Sequence, residues 1–82
     1  MSEQDMIVMY GADWCPDCRR SKAFLAARGV DYVYVDLEEQ PEEYATVEAI
    51  NGGSRPIPTI VFPDGRHVSE PSDDELGALL DH

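Results

Sequence analysis

The sequence predicts an α/β fold with one four-stranded mixed sheet flanked by three helices, in the order β-α-β-α-β-β-α. Three observations carry this. A short apolar run, Met6-Ile7-Val8-Met9-Tyr10, leads into a helical stretch and then a second β-rich run from Val30 to Val35. That is the layout of a βαβ unit, whose strands are parallel. Thr59-Ile60-Val61-Phe62 and Arg66-His67-Val68 flank the turn signal Pro63-Asp64-Gly65, which makes an antiparallel hairpin. Two more helical patterns, beginning at Pro41 and Ser72, supply cover for both faces of the sheet. The 82 residues are enough for one domain, 1–82, and not for two.

Each element has a local reason. The unbroken run from Met6 to Tyr10 reads as a strand buried on both faces. Gly11-Ala12-Asp13-Trp14 forms a loop. A helix then starts near Cys15, with Pro16 in the first turn, where a missing N–H costs nothing. It runs through Ser21, Phe24 and Leu25 to Arg28, and Gly29 stops it. Tyr32 and Tyr34 alternate with Val33 and Val35 in the second strand. Pro41-Glu42-Glu43 opens a second helix with acidic residues in its first turn, where the helix dipole favours them. Tyr44, Val47 and Ile50 give that helix an apolar face, and Asn51-Gly52-Gly53 ends it. Ser72-Asp73-Asp74-Glu75 has the Ser-x-x-Glu form of a capping box. It starts a last helix carrying Leu76, Leu79 and Leu80.

Composition narrows the function classes. No stretch approaches the ~20 apolar residues a membrane helix needs. Met1-Ser2-Glu3-Gln4-Asp5 is acidic and polar, unlike a signal peptide. The cytoplasm is the expected location, and there a cysteine pair is not expected to be a permanent staple. The net charge of −11 argues against nucleic acid or anionic membrane as a partner. It reads first as a solubilising surface, and second as a face that steers a basic partner.

The chemistry is concentrated in Asp13-Trp14-Cys15-Pro16-Asp17-Cys18, where the first strand hands over to the first helix. Two cysteines separated by two residues span one turn, so their sulfurs can meet. Cys15 lies near the unpaired N–H groups and positive end of the helix, which stabilise a thiolate. Cysteines so placed can fall from about 8.5 to between about 3.5 and 7.5 in pKa, and the thiolate is the attacking species in disulfide exchange. Cys15 is therefore the expected nucleophile, and Cys18, a turn deeper, the resolving thiol. A zinc site needs about four ligands; His67 and His82 lie far off without finger-like spacing, so no metal is expected. Cys-x-x-Cys within a βαβ pattern points instead to a thioredoxin-type redox site. Pro58 must sit at the entry of the third strand, because proline has no place inside a central ladder. On base rates its peptide bond is trans.

With these residues in place, the chain resembles the glutaredoxins, over nearly its whole length. Trp14-Cys15-Pro16 with Cys18 after a first strand, and Ile57-Pro58-Thr59-Ile60 at the start of a third, carry the likeness. Asn51-Gly52-Gly53-Ser54-Arg55 and Pro71-Ser72-Asp73-Asp74-Glu75 are similar to the actinobacterial branch, the mycoredoxins, which use mycothiol in place of glutathione. The resemblance implies the thioredoxin fold, a cis Pro58 facing the cysteines, and an Ile57 whose backbone pairs with an incoming thiol. It also implies a thiol groove lined by Trp14, Arg55, Ile57, Pro58, Ser72 and Asp73. Trp14 has a second reading, as one aromatic of a small core.

Two departures bear on the thiol. Glutathione-using members generally carry Gly-Gly before the last helix, where this chain has Glu70-Pro71. They often carry a lysine just after the first strand, and Tyr10-Gly11-Ala12-Asp13 has none. Asp17 stands where tyrosine is common, and a carboxylate there opposes ionisation of Cys15. Arg19, Arg20 and Lys22 either offset it or form a plain solvated face. The expected activity is reduction of mixed disulfides between proteins and a low-molecular-weight thiol, mycothiol first and glutathione second, with no bound cofactor and a monomeric chain. Three alternatives stand beside it: a protein-disulfide reductase recharged by thioredoxin reductase, a glutathione-dependent glutaredoxin, and a carrier of an iron–sulfur cluster held by Cys15 from two chains.

Overall fold

The computed structural model describes residues 6–81. The acidic stretch Met1-Ser2-Glu3-Gln4-Asp5 and His82, both weighed above, lie outside the described residues. Strand β1 (Ile7–Gly11) is followed by helix α1 (Pro16–Ala27), β2 (Tyr32–Asp36), α2 (Tyr44–Ile50), β3 (Thr59–Val61), β4 (His67–Ser69) and α3 (Asp73–Leu80). The sheet order is β2-β1-β3-β4. β1 and β2 are parallel, with Met9 opposite Tyr34. β3 runs antiparallel to β1, with Tyr10 opposite Thr59 and Met9 opposite Ile60. β4 completes the hairpin, with Thr59 opposite Ser69. The element order and mixed sheet match the thioredoxin-type expectation.

Because strand side chains alternate, this register sorts the two faces. Ile7, Met9 and Ile60 point to one side and pack with Cys15, Cys18, Leu25, Phe62 and Leu76 from the α1 and α3 side. Tyr10 and Thr59 point to the other, where α2 lies. Asn51 at the end of α2 bonds to Thr59, and Glu43 just before α2 acts with burial to raise the Tyr10 phenol's pKa. This second face is thinly covered, since Val47 is the one fully buried residue of α2. β1 is accordingly buried in alternation, with Val8 and Tyr10 half-buried. That corrects the expectation of a strand buried on both faces.

The second helix also starts later than its sequence suggests. Pro41–Glu43 forms a 3₁₀ turn, and α-helix begins only at Tyr44. Gln40 makes no side-chain cap there, and an uncapped helix start can close its orphan groups by tightening to i→i+3 bonds. The other termini follow their local chemistry. Cys15 caps α1 with Pro16 behind it. Ser72 and Glu75 form both bonds of the capping box on α3. In the β3–β4 turn, Asp64 accepts from the Arg66 N–H at 3.0 Å and from its guanidinium at 2.6 Å.

Candidate active site

The first strand ends at the site. Cys15 is the N-cap of α1, and its Sγ accepts the Cys18 backbone N–H at 3.3 Å. A further contact places this sulfur 3.9 Å from the carbonyl oxygen of Ile57. Cys15 is 7% exposed and Cys18 is 0% exposed. Both are free thiols. Burial is the main force holding the Cys18 proton, followed by a hydrogen bond with Cys15. A backbone bond from Ala12 pulls the other way, and the net effect pushes the thiol up to about 12. The two sulfurs are thus unequal. One sits at a helix start with an N–H aimed at it and remains slightly accessible. The other is sealed in the core and held protonated.

The residue that makes room for Cys18 is Gly11, at the end of β1. A Cβ built on it would fall 2.8 Å from the Cys18 Sγ. Sequence reading placed Gly11 in a loop and gave it no role. The Ile57-Pro58 bond is cis, as the resemblance implied, and Pro58 is buried. Its carbonyl accepts the Glu70 N–H at 2.8 Å. Glu70 has φ of 49°, in the left-handed region that ordinarily favours glycine.

The approach to Cys15 is a loop held by polar contacts. Asp13 accepts the Tyr34 hydroxyl at 3.0 Å and the Lys22 ammonium at 3.3 Å. These bonds, the Tyr34 one foremost, hold its carboxyl below the usual carboxylate range. Lys22 lies over the Tyr34 ring at 3.9 Å, and Arg19 donates to the Asp13 carbonyl at 2.9 Å. Trp14 on this loop is 61% exposed, so it is not a core aromatic.

Family comparison is decisive at this point. The glutaredoxin family model matches residues 7–68, which include both cysteines and the cis proline. The chain belongs to the glutaredoxin family. It is 38% identical over 74 residues to a Mycobacterium tuberculosis protein named as a glutaredoxin, covering 90% of this chain and 88% of that one. It is 33% identical over 75 residues to mycoredoxin 1 of Corynebacterium glutamicum, covering 92% of each. The crystal structure of a glutaredoxin from Archaeoglobus fulgidus superposes with a TM-score of 0.82 at 30% identity, covering 95% of this chain and 88% of that one. The activity of this glutaredoxin-family chain is thiol–disulfide exchange.

The remaining sequence-predicted groove residues differ in how far their side chains are engaged by neighbours. Arg55 bonds Glu48 at 2.6 Å and lies over the Tyr44 ring at 5.0 Å, so it is partnered by α2. The Ser72 hydroxyl accepts the Glu75 N–H as the α3 cap. Asp73 lies 3.7 Å from Arg20. Arg20 also pairs with Asp17 at 3.1 Å and donates to the Pro71 carbonyl at 3.1 Å. Arg20 and Lys22 are therefore engaged and offset the carboxylates of Asp17 and Asp13. They remain on a solvated face, since these pairs are exposed to water. Among the described residues, no group of three or more His, Cys, Asp or Glu side chains could hold a metal ion.

Proposed function

We propose that this protein reduces mixed disulfides between proteins and mycothiol, with Cys15 as nucleophile and Cys18 as resolving thiol. The Cys15 thiolate attacks the sulfur that the mycothiol contributes to the mixed disulfide, forming a Cys15–mycothiol bond as the mixed disulfide's own S–S bond breaks. The protein substrate leaves as a thiolate and takes up a proton, while Cys15 becomes bonded to the small thiol. A second small thiol, as thiolate, then displaces Cys15 and leaves as the oxidised dimer. Alternatively Cys18 loses its proton, closes the Cys15–Cys18 disulfide and releases the small thiol. Trp14, Arg55, Ile57, Pro58, Ser72 and Asp73 line the approach, with the Ile57 backbone pairing the incoming chain.

The observation that carries the choice of thiol is the Glu70-Pro71 segment. Pro71 has no N–H to donate, the Glu70 N–H is taken by the Pro58 carbonyl, and the Glu70 side chain is exposed beside them. A γ-glutamyl carboxylate arriving at Glu70-Pro71 meets like charge and finds no free backbone donor on either residue. Mycothiol has no γ-glutamyl group. The similarity to mycoredoxin 1 supports the same reading. Two free thiols suit the cytoplasm, and a single chain carries both cysteines of the reaction.

The test supplies the oxidised protein and a mixed-disulfide substrate with mycothiol, glutathione or thioredoxin reductase in separate reactions. Mycothiol restores turnover and the other two do not. Equal recharging by glutathione, or by thioredoxin reductase alone, overturns the proposal.

A further inference from the structure

A partly buried chain of hydrogen bonds, centred on the buried Thr59, runs behind the Ile57-Pro58 loop, on the α2 side of the sheet. The Asn51 side-chain amide donates to the Val47 carbonyl at 2.9 Å and to the Thr59 hydroxyl at 3.1 Å. Its oxygen accepts the Ser69 hydroxyl at 2.7 Å. The Thr59 hydroxyl passes its own proton on to the Pro56 carbonyl at 2.7 Å. Every capacity of that amide but one oxygen lone pair is used, and the chain has one direction, from Asn51 through Thr59 to Pro56. It ties three elements together: the end of α2, the first residue of β3, and β4. Its last acceptor, Pro56, immediately precedes Ile57, whose carbonyl faces the Cys15 sulfur at 3.9 Å. From the other side the Glu70 N–H holds the Pro58 carbonyl.

We propose that Asn51 is a positioning residue for thiol–disulfide exchange, setting through Thr59 the height of the Ile57-Pro58 loop over Cys15. Thr59 is 0% exposed, so its hydroxyl has protein partners only, and the remaining one, the Ser69 hydroxyl at 3.3 Å, is itself held by the Asn51 oxygen; polar networks of this kind fail as units. Freed from Asn51, the Thr59 hydroxyl turns, Pro56 loses its donor, and the loop rises from the sulfur. The nucleophile is untouched, because neither Cys15 nor Cys18 bonds to any member of the network. The effect therefore falls on substrates that dock along Ile57 and spares reagents that meet only the sulfur. This inference rests on the docking role given to Ile57 under Proposed function.

The experiment compares wild type, Asn51→Ala, Asn51→Asp and, as a control destabilised in the core, Leu76→Ala. Asn51→Asp keeps the volume and replaces both donors with an acceptor. Two rates are measured on folded, reduced protein: alkylation of Cys15 by iodoacetamide, and kcat and KM for a cysteinyl peptide in mixed disulfide with mycothiol and, separately, with glutathione. Both Asn51 variants raise KM about tenfold, the effect of one net hydrogen bond, with alkylation within about twofold of wild type. Leu76→Ala leaves KM unchanged. Wild-type KM in Asn51→Asp, or equal losses in alkylation and turnover, overturns the positioning role. A wild type indifferent to the choice of thiol overturns the mycothiol reading alone, because the variant-to-wild-type ratio is taken within each substrate.

Discussion

Replacing Gly11 with alanine sets a gain in chain stiffness against a collision with sulfur. Gly11 has no positive φ, so alanine fits its backbone, and such a substitution in open space stabilises by about 0.4–1 kcal/mol through the unfolded chain. Here the new Cβ falls 2.8 Å from the Cys18 Sγ and 3.3 Å from its Cβ. Heavy-atom contacts of this kind settle near 3.5–4.0 Å, so something must move by roughly 0.7 Å. Neither side yields easily: Gly11 is in the β1–β2 ladder opposite Asp36, and Cys18 is inside α1. Overpacking of this sort costs about 1–3 kcal/mol, which exceeds the gain. The reduced Gly11→Ala protein loses about 1–2 kcal/mol, or roughly 4–15 °C in Tm for a chain of this size, read by circular dichroism. Cys18→Ala provides the decisive comparison, because it removes the nearer atom. In that background Gly11→Ala costs much less, with a coupling of about 1 kcal/mol or more across the double-mutant cycle. Equal losses with and without the Cys18 sulfur would refute the argument that this glycine exists to seat a thiol.

Four further outcomes follow from the same geometry. With limiting iodoacetamide near neutral pH, Cys15 is labelled first; preferential labelling of Cys18, read by peptide mass, reverses their roles. Because the folded Cys18 pKa is raised to about 12 while an unfolded cysteine titrates near 8.5–9, its contribution to stability is complete below that unfolded value. It is lost as pH rises from there towards 12, since only the unfolded chain sheds the proton. The alkaline fall in Tm of the reduced protein is therefore steeper than that of Cys18→Ala, and parallel curves would contradict the assignment. Arg20→Ala unmasks Asp17 and slows Cys15 alkylation about two- to fivefold, the value of one exposed ion pair, while adding Asp17→Asn restores the rate; a variant indifferent to Asp17 would show that the charge never reaches the sulfur. Converting Glu70 and Pro71 together to glycine introduces catalysis with glutathione at least tenfold above wild type, measured against one mixed-disulfide peptide; no gain would remove this segment from thiol selection.

Much of this was legible because the informative signals are local. Cys15, Pro16 and Cys18 announce a capped helix and a redox pair together, and Ser72 with Glu75 announces the last helix through two reciprocal bonds. The hairpin is written in Pro63-Asp64-Gly65. What stayed hidden depends on contacts between segments distant in sequence. Gly11 looks like any loop glycine until β1 is laid against α1. Asn51 looks like a helix terminator, and it is one, yet its amide partners are 8 and 18 residues away. Arg20 reads as a surface charge, and it is one, yet the segment entering α3 places Pro71 and Asp73 beside it. The burial of β1 was misjudged for a similar reason, since an apolar run does not reveal how short the covering helix is.

The exposed Trp14 gives this protein an optical property. It is the single tryptophan of the chain, it is next in sequence to Cys15, and the residue is largely open to water. All indole emission therefore originates within one residue of the reacting sulfur, with no second fluorophore of its kind to dilute it. A partner that closes over Cys15 must take water away from that ring, and one that binds elsewhere leaves it wet. Unlabelled protein thus distinguishes docking at the redox site from adhesion to the acidic surface, in real time and before any bond is exchanged.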